Sequence, residues 1–447
     1  MIYSNDSTLN QIYSLIKWIE SDLLFKGDIE YLNNISGQIC CYMNCCALRI
    51  HELSLISIDG IENNKIIVSI NTTRAAMENT AVLNYISNMM HKSLEENNVK
   101  YIQEALKKWV YLPASCTHDD LKEILATQHP DFIKNYEFLS EFVHPNSLGV
   151  TVFYSNINQM SPLIKMGYNE LNEQEIEFKN VARDICSIAL KKTLENFKLD
   201  FGNIGNYIND LNALSQEITK KPLKEDLGKF CTSTFNVMLM NSQQKENTIN
   251  LIISLNKIIE AIVIKKFDII EIRNFTLFEI QLFFYKSTMT HRIYELTSNS
   301  LEYINKNNII GAMCLTRAAM ESISALKYVS KKNPKIRKAI CGTKIKYENS
   351  ISSDQITPIH TNDLQEFQSK IFEKYYVDLC EFIHPYPIGI TLYCTCFNFE
   401  KSLIFYLAKD LCILALAEAL ICFKEIEEII HKGVMDKVEA WKKNICN

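Results

Sequence analysis

An all-α fold is predicted by three observations. Leu, Ile, Lys, Glu and Asn recur at helical spacing over long stretches. The 447 residues include only 12 Gly and 9 Pro, too few for the many tight turns of an all-β protein of this size. A set of helical motifs also occurs twice in the same order, which predicts two tandem homologous helical bundles related by a pseudo-two-fold axis. A chain of this length holds two or three domains, each with its own core.

The first copy opens with helical patterns over about residues 7–25 and 30–58, the latter containing Arg49-Ile-His-Glu52-Leu53. A turn is expected at Asp59-Gly60, then a helix from about Asn63 to Met90 that carries Thr73-Arg74-Ala-Ala-Met-Glu78. A shorter helix around Val99–Trp109 leads to Pro113 and a loop through His118. The stretch Tyr136-Glu-Phe-Leu-Ser140-Glu141-Phe-Val-His144-Pro145 reads as a helix that the proline stops. A Gly149–Tyr154 run, open to an extended conformation, precedes a long helix from about Asn172 to Phe197 containing Asp184.

The second copy repeats this order. Arg292-Ile-Tyr-Glu295-Leu296 stands 243 positions after its counterpart, as does Thr316-Arg317-Ala-Ala-Met-Glu321. Tyr376-Val-Asp-Leu-Cys380-Glu381-Phe-Ile-His384-Pro385 runs into Gly389-Ile-Thr391, as the first stretch runs into Gly149-Val-Thr151. The domain boundaries follow: residues 1–200 as the first bundle, 201–245 as a partly helical connector with Gly202, Gly205 and Pro222, and 246–447 as the second bundle.

Composition narrows the function classes. Apolar residues make up 47% and charged residues 22%, the balance of a soluble globular protein. A net charge of -5 removes any bulk electrostatic argument for nucleic-acid binding and leaves room only for a local basic patch. The apolar segment Ser402–Phe423 carries Lys409, Asp410 and Glu418, each costly at bilayer depth, so it reads as a buried helix with no membrane partner. The start lacks a basic n-region and an apolar h-region, and the 15 cysteines lack zinc spacing. They read as reduced, mostly buried thiols of a cytoplasmic protein.

Two constellations carry the chemistry. Arg74 and Glu78, four apart, share a helix face, as do Arg317 and Glu321. Their small neighbours suit close helix packing, so each pair is expected in a buried or cleft-lining position. Glu141 and His144, and likewise Glu381 and His384, are three apart at a helix end. The spacing predicts that Arg74, Glu78, Glu141 and His144 converge in one bundle, and Arg317, Glu321, Glu381 and His384 in the other. His144 is expected to have a raised pKa there, because the helix dipole and Glu141 both favour the cation. No glycine-rich nucleotide loop, nucleophile elbow or His-Glu-x-x-His occurs.

The Arg-x3-Glu helix followed by Tyr-x3-Ser-x3-His-Pro resembles the HEPN-like helical proteins of bacteria. The resemblance covers most of each copy, on short motifs. Tyr136, Ser140, His144 and Pro145 match the later motif in full, whereas the second copy has Cys380 in place of the serine. It implies a helical bundle that dimerises, here as an intramolecular pseudo-dimer. It also implies RNA or another phosphate-bearing ligand as partner, and metal-independent ribonuclease activity in toxin or phage defence. His144, Arg74, Glu141 and Glu78 then form one site, and His384, Arg317, Glu381 and Glu321 the other, with no cofactor or metal. One departure stands out: neither His144 nor His384 has an Arg four to six residues before it on its own helix, as the ribonuclease members do. Any Arg–His site must be assembled across helices. The two alternatives are a non-catalytic helical interaction module and a carboxylate/His metal-binding bundle, for which Glu52, Asp184 and Asp410 would supply further acids.

Overall fold

The computed structural model describes residues 6–23, 35–109, 118–144, 173–214, 239–264, 277–330, 369–385, 389 and 401–445. Among the described residues every regular element is helical, and the all-α class holds. The Gly149–Tyr154 run, Pro145, Pro113, Pro222 and Thr391 lie outside them.

In the first half, α1 (Asp6–Trp18) is continued by a π turn over Ile19–Leu23. There follow α2 (Ile35–Glu62), α3 (Ile66–Glu95), α4 (Lys100–Trp109), α5 (His118–Ala126), α6 (Pro130–Val143) and α7 (Glu173–Leu214). The second half has α8 (Ser242–Ile264), α9 (Leu277–Asn305), α10 (Ile309–Ser330), α11 (Lys370–Ile383) and α12 (Lys401–Ile445). Residues 201–214, expected in the connector, thus continue α7.

The expected turn at Asp59-Gly60 lies four residues further on. The backbone stays helical through Gly60, where a Cβ would collide with the Ser69 hydroxyl of α3, so glycine here lets α2 and α3 cross closely. The chain reverses instead at Asn64, which adopts the left-handed conformation at φ 57°. Asn307 does the same between α9 and α10, at φ 57°. Asparagine tolerates that conformation better than other side chains do, because its short amide bonds locally.

Helix starts and stops follow the local chemistry. Pro130 occupies the first turn of α6, where no amide donor is needed, and the His129 ring accepts from Asp131 N. Ser369 caps α11 by accepting from Phe372 N at 3.1 Å. Both α6 and α11 end one residue before a histidine followed by proline. His144 (φ -77°, ψ 145°) and His384 (φ -71°, ψ 156°) are extended, the conformation a following proline enforces.

The central helix of the first half is α3, which packs on α2, α4, α6 and α7; α10 of the second half packs on α9, α11 and α12. The halves meet where α10 contacts α2 and α3, and α9 contacts α3. Buried apolar side chains from both halves form one continuous cluster, with Trp109, Phe132, Phe142, Phe372 and Phe382 among the largest. Each such burial stabilises the fold by roughly 1.5–3 kcal/mol.

A small polar relay stitches the middle of each half. Ser57 Oγ donates to Ser69 O at 2.9 Å and bonds Thr73, whose hydroxyl lies 3.2 Å from Cys186 Sγ. Ser300 likewise donates to Ala312 O at 3.0 Å and bonds Thr316, which lies 3.4 Å from Cys412. The described cysteines are free thiols, and all but Cys40 and Cys380 are buried. Two helical stretches, Ile39–Glu62 and Ile309–Tyr328, are long and apolar enough to span a bilayer, but most of each is buried inside the fold.

Candidate functional site

The two Arg–Glu pairs sit where α3 and α10 face one another across the seam between the halves. Arg74 Nη2 lies 3.2 Å from Glu78 Oε1, and Arg317 Nη2 lies 2.9 Å from Glu321 Oε1. Each pair takes a tyrosine from its own half. Tyr136 OH accepts from Arg74 Nη2 at 2.8 Å and donates to Glu78 Oε1 at 2.8 Å. Tyr376 OH donates to Glu321 Oε1 at 2.7 Å and accepts from Arg317 Nη2 at 3.4 Å. Both guanidinium groups lie over their tyrosine rings, at 5.1 Å and 5.6 Å from the centroids.

The histidines come from the opposite half. His384 Nδ1 lies 2.8 Å from Glu78 Oε2, and His144 Nδ1 lies 3.6 Å from Glu321 Oε2. This corrects the expectation that Arg74 and Glu78 meet His144, and Arg317 and Glu321 meet His384. The reason lies at the ends of α6 and α11, which cross the seam. Arg49 Nη1 donates to Phe382 O at 2.8 Å, and its Nη2 donates to Ile383 O and, at 3.4 Å, to His384 O. Arg292 Nη1 donates to Phe142 O at 2.8 Å, and its Nη2 donates to Val143 O. Each fully buried arginine thus supplies donors to the last carbonyls of a helix from the other half, which have no intrahelical partner.

The other predicted acids stand differently. Glu381 is half-buried, and burial alone raises its carboxyl above the usual range. Glu141 is buried in α6, and Glu321 of the other half stands against the His144 ring nitrogen. Asp410 serves the start of α8: it accepts from Met240 N at 2.9 Å and pairs with Lys245 Nζ at 2.9 Å. Among the described residues no three His, Cys, Asp or Glu side chains stand together as metal ligands.

The electrostatics follow from burial. Burial would raise the Glu78 carboxyl, but His384, Arg74 and Tyr136 together outweigh it and hold it far below its ordinary value. Arg317, His144 and Tyr376 do the same for Glu321. Burial, chiefly, pushes both tyrosine hydroxyls up, so they stay neutral donors. The His384 pKa is lowered, because burial and the nearby Arg317 and Arg74 outweigh Glu78. An ionised carboxylate only accepts, so His384 is assigned as the Nδ1–H tautomer donating to Glu78.

The two clusters differ in closure. Glu78 and His384 side chains are 1% and 4% exposed, whereas the His144 side chain is 23% exposed. Glu321 Oε2 and the Nε atoms of Arg74 and Arg317 are buried without a hydrogen-bond partner. The cluster around Glu321 is therefore the looser of the two and the more accessible.

Sequence reasoning missed Arg49 and Arg292 as part of this arrangement, although both had marked the repeat. An arginine in an otherwise apolar helical stretch was the available signal, since a buried charge needs a dedicated partner. No family model, curated protein or solved structure matches this chain.

Proposed function

We propose that the chain is a fused dimer of HEPN-like units that binds or cleaves RNA in the cytoplasm, with its reactive centre at His144, Arg317 and Glu321. The observation that carries this reading is the partly exposed His144 ring set against a buried Arg–Glu pair of the other half. The duplication reading is supported by contacts that recur in exchanged form. Arg49 grips the end of α11 as Arg292 grips that of α6, and His384 meets Glu78 as His144 meets Glu321. Such exchange is what a two-fold relation between the halves would generate.

In this reading His144 exchanges a proton with a ribose 2′-hydroxyl through Nε2, while Nδ1 faces Glu321. With its proton passed to His144, the 2′-oxygen attacks the adjacent phosphorus, the P–O5′ bond breaks, the 5′-oxygen takes a proton from water, and a 2′,3′-cyclic phosphate remains. Arg317 offsets the charge that grows on the phosphate. Glu321 orients the imidazole and takes no part in bond making.

The closed cluster around Glu78 favours a different role for itself. Its near-complete burial suits a polar lock that fixes how the halves dock. A toxin or phage-defence setting is part of the same proposal and rests on the family resemblance alone.

The test incubates total RNA with the wild type, His144→Ala and Arg317→Ala, with and without a chelator. Cleavage should persist with chelator and fall at least about a hundredfold in each variant, the scale of a lost proton-transfer group. Gel retardation by all three proteins would identify binding as separable from cleavage. A folded wild type that neither cleaves nor retards RNA would end the proposal.

A further inference from the structure

Each cluster needs a histidine from one half to land on an Arg–Glu pair of the other, and the residue placed to arrange this is the helix-gripping arginine. Arg292 comes from the same half as Arg317 and Glu321, and it grips the α6 end that carries His144. Arg49 comes from the same half as Arg74 and Glu78, and it grips the α11 end that carries His384. We propose that Arg292 and Arg49 are positioning residues: each holds the other half's helix end so that the histidine following it is delivered to the carboxylate beside it. Their bearing on RNA chemistry rests on the reading above; their bearing on histidine placement does not.

Three physical points support this. A planar guanidinium presents forked donors, so holding two successive carbonyls sets both the distance and the rotation of a helix end. The histidine is the next residue, and the proline after it confines its backbone to one extended well. Little freedom remains between the gripped carbonyls and the imidazole. The site is also shaped to admit the arginine. Gly389, just past His384, lies so close that a Cβ there would stand 2.6 Å from Arg49 Nη1 and 2.8 Å from His384 O. Only glycine leaves that space, which accounts for Gly389 as a packing requirement. Arg292 is further steadied by its Nε donating to Ser322 Oγ at 3.0 Å, one residue from Glu321.

The two grips predict a crossed pattern that general destabilisation would not produce. Long-range proton–nitrogen spectra of the histidine rings in the full chain report each ring's hydrogen bonding, with His144→Gln and His384→Gln assigning the two signals. Arg292→Lys keeps the charge and loses the fork; it should shift the His144 nitrogens toward the positions seen in Glu321→Gln and leave His384 in place. Ser322→Ala, a milder change, should shift them the same way by less. Gly389→Ala, which crowds Arg49 from the other side, should move the His384 signals and spare His144. In the RNA assay Arg292→Lys should lower turnover at least tenfold while Gly389→Ala changes it little.

If Arg292→Lys moves both rings equally, or neither, in a protein that still melts cooperatively, the positioning role is wrong. If the ring shifts cross as described and no protein cleaves or binds RNA, the positioning role stands and the RNA reading falls.

Discussion

Arg49 and Arg292 are buried cations set against helix ends, where the aligned peptide dipoles present their negative pole. Arg74 and Arg317 show the commoner solution, a carboxylate four residues on, closed over by a tyrosine. Burial also perturbs groups away from the seam. Asp200 of α7 is buried, with Asn84 Nδ2 donating to it at 2.9 Å, and burial lifts its pKa to about 6. The folded chain therefore holds a proton there that the unfolded chain has lost, and this contribution to stability grows as pH falls through 6. Asp200→Asn should stabilise the protein at pH 7.5 by up to about 3 kcal/mol, with roughly two thirds of that gain lost by pH 4.5. Urea unfolding of both proteins at the two pH values measures this, and a difference independent of pH would contradict it. His291 has the opposite sign. Burial lowers it to about 4, so its contribution is present above the ordinary imidazole range and is lost as pH falls from about 6.5 toward 4.

At the scale of elements, the helix boundaries decide where the polar groups land. The α2–α3 reversal at Asn64 and the α9–α10 reversal at Asn307 use the same left-handed residue type. Alanine there would take the Cβ strain without the compensating amide, and glycine would escape it. Asn64→Ala should cost about 1 kcal/mol and Asn64→Gly should be neutral or stabilising, read from shifts in the urea midpoint. Equal losses from both substitutions would show that the asparagine amide, not the backbone conformation, matters. The ends of α6 and α11 are set by the His-Pro pairs. There the sequence was legible to the residue, because proline removes a donor and restricts its predecessor whatever the surroundings. The Asp59-Gly60 turn was misplaced for the complementary reason. Glycine signals a turn by conformational freedom but also permits close helix crossing, and only the proximity of Ser69 shows which use applies.

At the scale of the whole molecule, the halves share one apolar cluster and exchange helix ends. Opening the seam would strand buried charges of both halves, Glu78 and Glu321 among them. Thermal unfolding followed by far-ultraviolet and near-ultraviolet circular dichroism should therefore coincide in one transition. Arg49→Met should move that transition down as a unit, and two resolved steps in the wild type would sink this expectation.

The sequence by itself determined the helical class, the repeated motif order, the His-Pro helix ends and the Arg–Glu spacing that places each buried pair on one helix face. These are properties of local spacing and backbone chemistry, which act over a few residues and need no partner. Tertiary structure alone decided which histidine meets which carboxylate. His144 follows Glu78 by 66 residues and His384 follows Glu321 by 63, so motif order favours pairing within each half. The helix ends are instead drawn across the seam, where the buried Arg49 and Arg292 donate to the other half's terminal carbonyls. That choice depends on how the two halves dock, and no spacing within either half encodes it.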